Sequence, residues 1–290
     1  MKWPAFGYVR AATLGEFWKL KREAGPDAKV IAGGQSLLAT LAFRLSQPSV
    51  LIDISRLAEL KGIVFQGDML RLGALTRHIE LERSELVAAH APLLRMAAPL
   101  IAHPAIRNRG TIGGSIAFAD PASELPACLV ALDAVIVLAS ATSERFVPAR
   151  GFFHGLYETA MRDDEIITAI EVPKQRPSQH TTILEIARRS GDYAMAGIAC
   201  SVDVEGGMVS AASLVYFGVG EAPVQARAAS AVLVGKALTE MSVAAAQGAL
   251  ADDLDPPDDL HGPGAMKLHL CRVLTGRALL DFVGERRVAA

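Results

Sequence analysis

The chain has 290 residues, of which 29 are Lys or Arg and 31 are Asp or Glu, so its formal net charge is −2. It has no basic block of the kind that binds nucleic acid, and no uninterrupted apolar run approaches the ~18 residues of a membrane span. With 51% hydrophobic residues it can bury a large core, and its length predicts two domains. No charged-then-apolar leader opens the chain, so we expect a cytoplasmic protein.

The cysteines argue against two further classes of protein. Cys128, Cys200 and Cys271 are far apart, and none belongs to a C-x-x-C pair. An iron–sulfur cluster usually takes about four thiolates, and a disulfide framework takes an even number of cysteines. We therefore expect buried thiols, with neither a cluster nor a disulfide in this chain.

The first fifty-odd residues predict a small, mostly parallel α/β unit. Thr13 and Glu16 form a capping box at the start of a helix, and Gly25 with Pro26 ends it. The next predicted elements are a strand at residues 29–32, a helix carrying Leu37, Leu38, Leu41 and Leu45, and a strand at residues 50–54.

From residue 60 to 74 the pattern changes to alternating strands, with Gly67 and Asp68 at a hairpin turn. Thr76 is predicted to cap a helix that reaches about Arg83, and Ser84 to begin a second helix. The second helix carries Leu86, Val87, Leu93, Leu94 and Met96. A helix at residues 125–132 and strands at residues 135–138 and 165–172 complete the first domain.

The segment 173–180 is the predicted domain boundary, because it contains two prolines and several polar residues. Beyond it the pattern predicts an antiparallel meander followed by helices, which is typical of an α+β domain. The predicted strands are 183–187, 198–204 and 209–219, and the predicted helices are 224–238, 242–250 and 264–283.

Two Gly-Gly loops are the candidate functional features. The first is Ala32-Gly33-Gly34-Gln35-Ser36, and the second is Thr111-Ile112-Gly113-Gly114-Ser115. Main-chain N–H groups of such loops can approach an anion without interference from a Cβ atom. Either loop alone could be a tight turn without a ligand. Together they suit a diphosphate.

A Rossmann dinucleotide site is not indicated. Neither loop has the G-x-G-x-x-G spacing. Asp53 lies at a strand end about twenty residues after Gly34, where that fold has its ribose-binding acid. Without the glycine spacing we interpret Asp53 as structural.

The whole pattern is more specific than either loop. It comprises AGGQSLL at residues 32–38, RNRGTIGGS at 107–115 and ADPASELP at 119–126. These segments resemble the FAD-binding medium subunit of molybdenum hydroxylases, a family that includes carbon monoxide dehydrogenase and the flavin segment of xanthine dehydrogenase. Residues 151–155, 164–167 and 187–193 match further family positions, so the resemblance covers nearly the whole chain.

The resemblance implies an α+β fold in two domains. The first, over residues 1–175, is a two-lobed FAD-binding domain of the vanillyl-alcohol-oxidase (PCMH) type, with lobes of about 1–55 and 56–175. The second, over residues 180–288, is an α+β domain of the CO dehydrogenase flavoprotein type, with an antiparallel sheet and helices.

The resemblance also implies the cofactor-binding residues. Both glycine loops would hold the FAD diphosphate through main-chain N–H and hydroxyl donors. Glu124 stands where the family often has an aspartate that accepts a hydrogen bond from a flavin hydroxyl, although it would equally suit the N-terminus of a helix. Ile167 and Tyr193 stand at positions beside the isoalloxazine ring, and each could instead be a core residue.

Two positions depart from the family pattern. Glu185 replaces a lysine that xanthine dehydrogenase has before its Arg-Arg pair, which would alter the electrostatics at the flavin. Phe118 stands where members often have a polar residue. Neither departure lies in a glycine loop.

The implied function is that of a flavoprotein subunit, which passes electrons from a [2Fe-2S] subunit through FAD to an external acceptor. The molybdenum cofactor and the [2Fe-2S] clusters would reside in a large and a small partner subunit, in a heterotrimer or its dimer. No catalytic dyad, triad or metal-ligand set is visible. Two alternatives stay open: a self-contained FAD-dependent oxidoreductase with its own substrate, and a non-redox nucleotide-binding protein.

Overall fold

A computed structural model describes residues 3–289, with side-chain surroundings for residues 3–282. Within this range three larger sheets follow one another, each covered by helices, and two short strands form a fourth, separate sheet. Among the described residues, no helix combines the length and the apolar character needed to cross a membrane.

The first sheet is entirely parallel, as the sequence predicts, with strand order β1-β3-β2. Its elements are β1 (Gly7–Arg10), α1 (Leu14–Ala24), β2 (Lys29–Ile31), α2 (Leu37–Ala42) and β3 (Val50–Asp53). The N-cap of α1 is confirmed, since Thr13 Oγ1 accepts from Glu16 N at 3.1 Å. The reciprocal bond of the capping box is not formed, because Glu16 Oε2 accepts from Ala12 N at 2.7 Å rather than from Thr13 N. Phe17 is buried on the inner face of α1.

The helix after the first glycine loop is shorter than predicted. It ends at Ala42, because Arg44 takes the left-handed conformation with φ 59°. Leu45, predicted to lie on the apolar face of this helix, is instead 78% exposed, and Phe43 is 65% exposed. The first lobe therefore presents two large apolar side chains at the C-terminal end of α2.

Asp53 has the structural role expected of it. Its carboxylate accepts hydrogen bonds from the Tyr8 hydroxyl and from Arg10 Nε, both on the neighbouring strand β1, and from Ser55 N. Although burial raises the pKa of Asp53, these hydrogen bonds outweigh it and lower the pKa to about 2. The carboxylate thus ties β1 to β3.

The second sheet is antiparallel, with strand order β4-β5-β10-β6-β7. Its strands are β4 (Ile63–Gln66), β5 (Met69–Gly73), β6 (Val135–Ala139), β7 (Glu144–Pro148) and β10 (Ile166–Pro173), and a separate pair consists of β8 (Phe153–Gly155) and β9 (Glu158–Thr159). The helices between β5 and β6 are α3 (His78–Arg83), α4 (Glu85–His90), α5 (Pro92–Ala97), α6 (Pro104–Arg107), α7 (Ile112–Phe118) and α8 (Glu124–Ala131).

Two predictions in this region are wrong. Thr76 does not cap α3, because its hydroxyl donates to Gly62 O. The N-cap residue is Arg77, whose N–H donates to Glu80 Oε2 in the first turn of the helix. The helix begun by Ser84 is not continuous, since Ala91 leaves the helical conformation and Pro92 starts a new helix. The cap itself is confirmed: Ser84 Oγ accepts from Val87 N at 3.3 Å.

The third sheet is the predicted antiparallel meander, in the order β11-β12-β13-β14. Its strands are β11 (Gln179–Ile186), β12 (Ala196–Glu205), β13 (Met208–Phe217) and β14 (Val224–Gln225), and its helices are α9 (Arg227–Leu233), α10 (Glu240–Asp253) and α11 (Gly264–Ala289). The helix predicted at 224–238 is wrong at both ends, because Val224 and Gln225 pair with β13 and α9 ends at Leu233.

The two faces of the third sheet belong to different cores. One face, with Ile183, Ala199 and Phe217, packs against the helices of the second sheet. The other face, with Leu184, Ile198 and Tyr216, packs under α9, α10 and α11. Burying a large apolar side chain contributes about 1.5–3 kcal/mol, so this shared core fixes the third sheet against the second.

Candidate functional site

The two glycine loops, far apart in sequence, lie against each other. A Cβ atom built on Gly33 would lie 2.2 Å from the carbonyl oxygen of Arg109 and 2.9 Å from Gly110 Cα. Only glycine permits this approach. The first lobe and the second lobe therefore meet at the two loops.

The first loop offers unused main-chain donors. The N–H groups of Gly33, Gly34, Gln35 and Ser36 find no acceptor among the described residues. Gln35 Nε2 donates to Gly33 O at 2.9 Å, and Gly34 has φ +74°. The loop is thus bent so that consecutive donors are exposed to one side, as in anion-binding concavities. Ala32 precedes it at the end of β2.

The second loop has a different geometry from the one that we predicted. It is the start of α7, and its donors are engaged within the protein: Ile112 N with Thr76 O, Gly113 N with Ala74 O, Gly114 N with Thr111 Oγ1 and Ser115 N with Thr111 O. A Cβ on Gly113 would lie 2.6 Å from Ala74 Cβ, so this residue too must be glycine. Thr111 N is the exception among these donors, because it has no acceptor among the described residues. The second loop can therefore offer a ligand this N–H and the hydroxyl groups of Thr111 and Ser115.

A buried histidine lies beneath the junction of the loops. His78 N donates to Gly110 O at 3.0 Å, and the ring packs so closely on Gly110 that a Cβ there would meet His78 Cδ2 at 2.7 Å. Burial and the nearby Arg107 lower the pKa of His78 to about 4. The imidazole is therefore neutral and supports the loop from inside the protein.

Ile167 lies in β10, close to the second loop but in the core. The neighbouring Thr168 O accepts from Ala74 N at 3.0 Å, and Ala74 is the residue that contacts Gly113. The Ile167 side chain is 4% exposed. Its position at a bulge in β10 directs it into the second-sheet core.

Carboxyl groups gather where α8 meets the third sheet. Glu124, in the first turn of α8, is 9% exposed, and burial together with the charges of Glu185 and Asp120 raises its pKa to about 8. Burial raises the pKa of Glu185 to about 7 and also raises that of Asp120. At neutral pH this region is therefore less negative than its composition indicates.

Tyr193 joins this region from the loop between β11 and β12. Its side chain is 59% exposed, while its hydroxyl interacts with the Asp120 carboxyl. Burial of the hydroxyl end and the Asp120 charge raise its pKa. Phe118 and Tyr157 lie nearby with ring centroids 5.0 Å apart. The C-terminal end of α7 is thus surrounded by aromatic rings.

Two residues of this region were not among the predicted site residues. Asp120 has the local turn role that its sequence context indicates, since its Oδ1 accepts from Ala122 N at 2.9 Å, but it also contacts Tyr193. Glu185 stood out only as a departure from the family pattern. Its burial could not be predicted from the sequence, because it depends on the packing of α8 on the third sheet, at β12 and β13. In the described part of the chain no group of His, Cys, Asp or Glu could hold a metal ion.

Two family models match the chain. The FAD binding domain in molybdopterin dehydrogenase matches residues 4–175, and the CO dehydrogenase flavoprotein C-terminal domain matches residues 182–282. Among curated relatives, the chain is 39% identical over 288 residues to the 6-hydroxypseudooxynicotine dehydrogenase complex subunit alpha of Paenarthrobacter nicotinovorans, covering 99% of this chain and 97% of the relative.

Solved structures give the same result. A carbon monoxide dehydrogenase structure from Hydrogenophaga pseudoflava superposes with a TM-score of 0.93 at 40% identity, covering 96% of this chain and 97% of that one. Quinoline 2-oxidoreductase from Pseudomonas putida 86 superposes with a TM-score of 0.92 at 38% identity, covering 97% and 98%. The predicted fold class is therefore confirmed.

Proposed function

The chain belongs to the family of FAD-binding medium subunits of molybdenum hydroxylases, and from this membership we propose that it passes electrons through FAD to an external acceptor. When bound, FAD supplies the redox chemistry, because a flavin can accept electrons singly and release them in pairs. The residues of the chain bind the cofactor, orient it and set its electrostatic surroundings.

One observation carries the proposal: the first loop presents four main-chain N–H groups without an acceptor, and it faces the start of α7 across the Gly33–Arg109 contact. A diphosphate matches such donors, since each oxygen accepts several hydrogen bonds. The residues Ala32, Gly33, Gly34, Gln35 and Ser36 would therefore supply the principal phosphate contacts through the main chain.

The second loop would contribute in another way. The N–H groups of its residues 112–115 are already engaged, so Thr111 and Ser115 would donate from their hydroxyls. Ile112, Gly113 and Gly114 would act by shape, because they allow the chain to pass closely over Ala74 and leave room beside the first loop. The assignment of both loops to one diphosphate rests on their contact.

The ring of the cofactor would lie toward the carboxyl and aromatic groups at the end of α7. Glu124 is positioned to accept from a flavin hydroxyl, and the exposed ring of Tyr193 could cover one face of the isoalloxazine. Ile167 would contribute apolar surface from beneath, although it lies in the core. Covering the ring limits the access of water and oxygen.

We assign the remaining chemistry to partner subunits. Chains similar to this one over almost their full length belong to proteins named for carbon monoxide, quinoline and a pseudooxynicotine, so similar flavin subunits serve different substrates. This supports substrate selection in a large molybdenum subunit, with a small [2Fe-2S] subunit relaying electrons, in a heterotrimer or its dimer. The exposed Phe43 and Leu45 at the C-terminal end of α2 support burial against a partner.

We propose domain limits of residues 1–175 and 180–288, with lobes of about 1–55 and 56–175 in the first domain. The family-model matches, which end at residue 175 and resume at 182, support this division. We also propose that the complex works in the cytoplasm. The three cysteines are free and buried, which suits a reducing compartment.

Reconstitution tests the proposed function. The purified chain should bind FAD, show a flavin spectrum that dithionite bleaches, and oxidise no carbon substrate. Adding the partner subunits should restore turnover, with electrons passing through this flavin. A chain that binds no FAD under these conditions would contradict the proposal, whereas substrate oxidation by the isolated chain would favour a self-contained oxidoreductase.

A further inference from the structure

Glu185 has a buried oxygen atom without a partner. Its Oε2 is inaccessible to solvent and has no hydrogen bond within the described residues. Leaving a buried polar atom unsatisfied costs about 1–3 kcal/mol, and such atoms mark places where a ligand or water completes the structure. The orientation of Glu185 shows where that partner must come from.

Strand β11 presents Glu185 toward the FAD-binding domain. Ile183 and Glu185 are two residues apart, so their side chains lie on the same face of the strand. Ile183 packs in the core shared with α8, whereas Leu184 and Ile186 pack against the opposite core. Glu185 pairs with Gly197, and Phe217 fills the space that a side chain at Gly197 would need. The carboxyl group therefore faces the start of α8.

A second buried carboxyl group meets it there. The charge of Glu185 contributes to the raised pKa of Glu124, and both carboxyl groups help to raise the pKa of the Cys128 thiol, one turn further along α8. The other titratable groups that face this pair are Asp120, before α8, and Tyr193. Among the described residues, no Lys, Arg or His shifts the pKa of either glutamate. Two such carboxyl groups in a region of low dielectric cannot both ionise readily.

We propose that Glu185 binds the flavin ring of FAD as a neutral carboxylic acid through its buried Oε2, and that Glu124 and Glu185 together keep one proton beside the ring. This inference rests on the proposed function. A neutral carboxyl group presents one donor and one acceptor side by side. The polar edge of a flavin presents an N–H between two carbonyl groups, so it can satisfy both.

The protonation state of the pair then sets the flavin's affinity for electrons. Reduction adds negative charge to the ring. A neighbouring carboxylate would repel this charge and lower the reduction potential, whereas a neutral carboxylic acid would not. The pair holds its proton up to about pH 7–8, and above that range the proton leaves to water. During reduction the added reductant supplies the electrons, and water supplies the proton that returns to the pair.

The test uses the full chain loaded with FAD. The reduction potential is measured with redox mediators between about pH 6 and pH 9, for the unchanged chain and for E185Q, E124Q and E205Q. Gln imitates a neutral carboxyl group but cannot titrate. Glu205 is an exposed carboxylate of the same sheet, eight residues along β12 from Gly197, or roughly 26 Å away.

The unchanged chain and E205Q should show an extra steepening of potential against pH near pH 7–8, from additional proton uptake. E185Q should lose it and should keep its low-pH potential. In infrared spectra of the FAD-free chain, E185Q should also lose a protonated-carboxyl carbonyl band. If E185Q keeps both the steepening and the infrared band, the inference is wrong even though FAD binds. If E124Q is the one variant that loses the steepening, the donor is Glu124 and not Glu185. If the unchanged chain binds no FAD, it is the proposed function that falls.

Discussion

Gly33 lies directly against the carbonyl oxygen of Arg109, so close that a Cβ atom on Gly33 would be 2.2 Å from it. This contact joins the parallel first lobe to the loop that begins α7. Gly33 offers the ligand only its main-chain N–H, yet the contact with Arg109 places all four free donors of the first loop beside Thr111 and Ser115. The diphosphate site that we propose depends on this contact.

Gly33→Ala should therefore weaken FAD binding at least about tenfold, which corresponds to ~1.4 kcal/mol. The reason is that a methyl group would push the two loops apart. Equilibrium dialysis of FAD against the folded variant measures this. Gly151→Ala is the matched control, because a Cβ at Gly151 meets nothing within 4 Å. Equal affinities for both variants would show that the contact is not needed.

Thr111→Val should destabilise the chain by about 1 kcal/mol, because it leaves Gly114 N without its acceptor at the start of α7. It should also weaken FAD binding through loss of the hydroxyl donor. Thr111→Ser keeps that oxygen and should restore most of both properties. Urea unfolding and FAD titration are the measurements, and a Val variant with the stability and FAD affinity of the unchanged chain would show that the hydroxyl is not needed.

Two variants of Tyr193 distinguish the contribution of its ring from that of its hydroxyl group. Tyr193→Phe should raise the pKa of Asp120 further, because the hydrogen bond from the hydroxyl lowers it, while FAD affinity should change little. Tyr193→Ala removes the exposed ring and should shift the flavin potential or increase its reaction with oxygen. Rates of reoxidation in air measure the second effect. An Ala variant with unchanged potential and reoxidation would return Tyr193 to a purely structural role.

His78 predicts a specific acid destabilisation. Its pKa is about 4 in the folded chain against 6.5 as a free side chain, so between these values the unfolded chain takes up a proton that the folded chain does not. The contribution of His78 is present above pH 6.5 and falls by on the order of 3 kcal/mol as the pH drops to about 4.

His78→Gln removes this titration and isolates it from other groups. The difference in unfolding free energy between the two proteins, measured by urea titration of the FAD-free chains, should change only within that window. Asp53 loses its contribution at lower pH, between about 3.8 and about 2, so its effect is separate. A constant difference from pH 7 to pH 4 would mean that His78 already binds a proton in the folded chain.

Local signals in the sequence predicted most elements. The N-cap at Thr13, the hairpin turn at Gly67 and the antiparallel pairing of β12 with β13 all depend on neighbouring residues, and all are present. The errors occur where the backbone departs from its pattern for reasons that sequence does not display. Arg44 turns left-handed and ends α2 before Leu45, and the third sheet gains an edge strand at Val224.

In the candidate site, too, the features that depend on local sequence were predictable, and those that depend on distant residues were not. The glycine loops were recognisable because glycine is needed at close approach. The hydrogen-bonding state of those loops was not, since Ala74 and Thr76 engage the donors of the second loop from a distant part of the chain. Glu185 and Asp120 are similar cases: their burial arises from the packing of α8 on the third sheet.

The attachment of the third sheet also bears on how the protein matures. Gly218 N donates to Pro121 O, and the Tyr193 hydroxyl contacts the Asp120 carboxyl group. Residues that are translated late therefore complete the region around residues 120–121, which are translated much earlier. A nascent chain that has left the ribosome only as far as β10 has both glycine loops but not the wall formed by β11 to β13. Flavin insertion should therefore follow translation of at least residue 218.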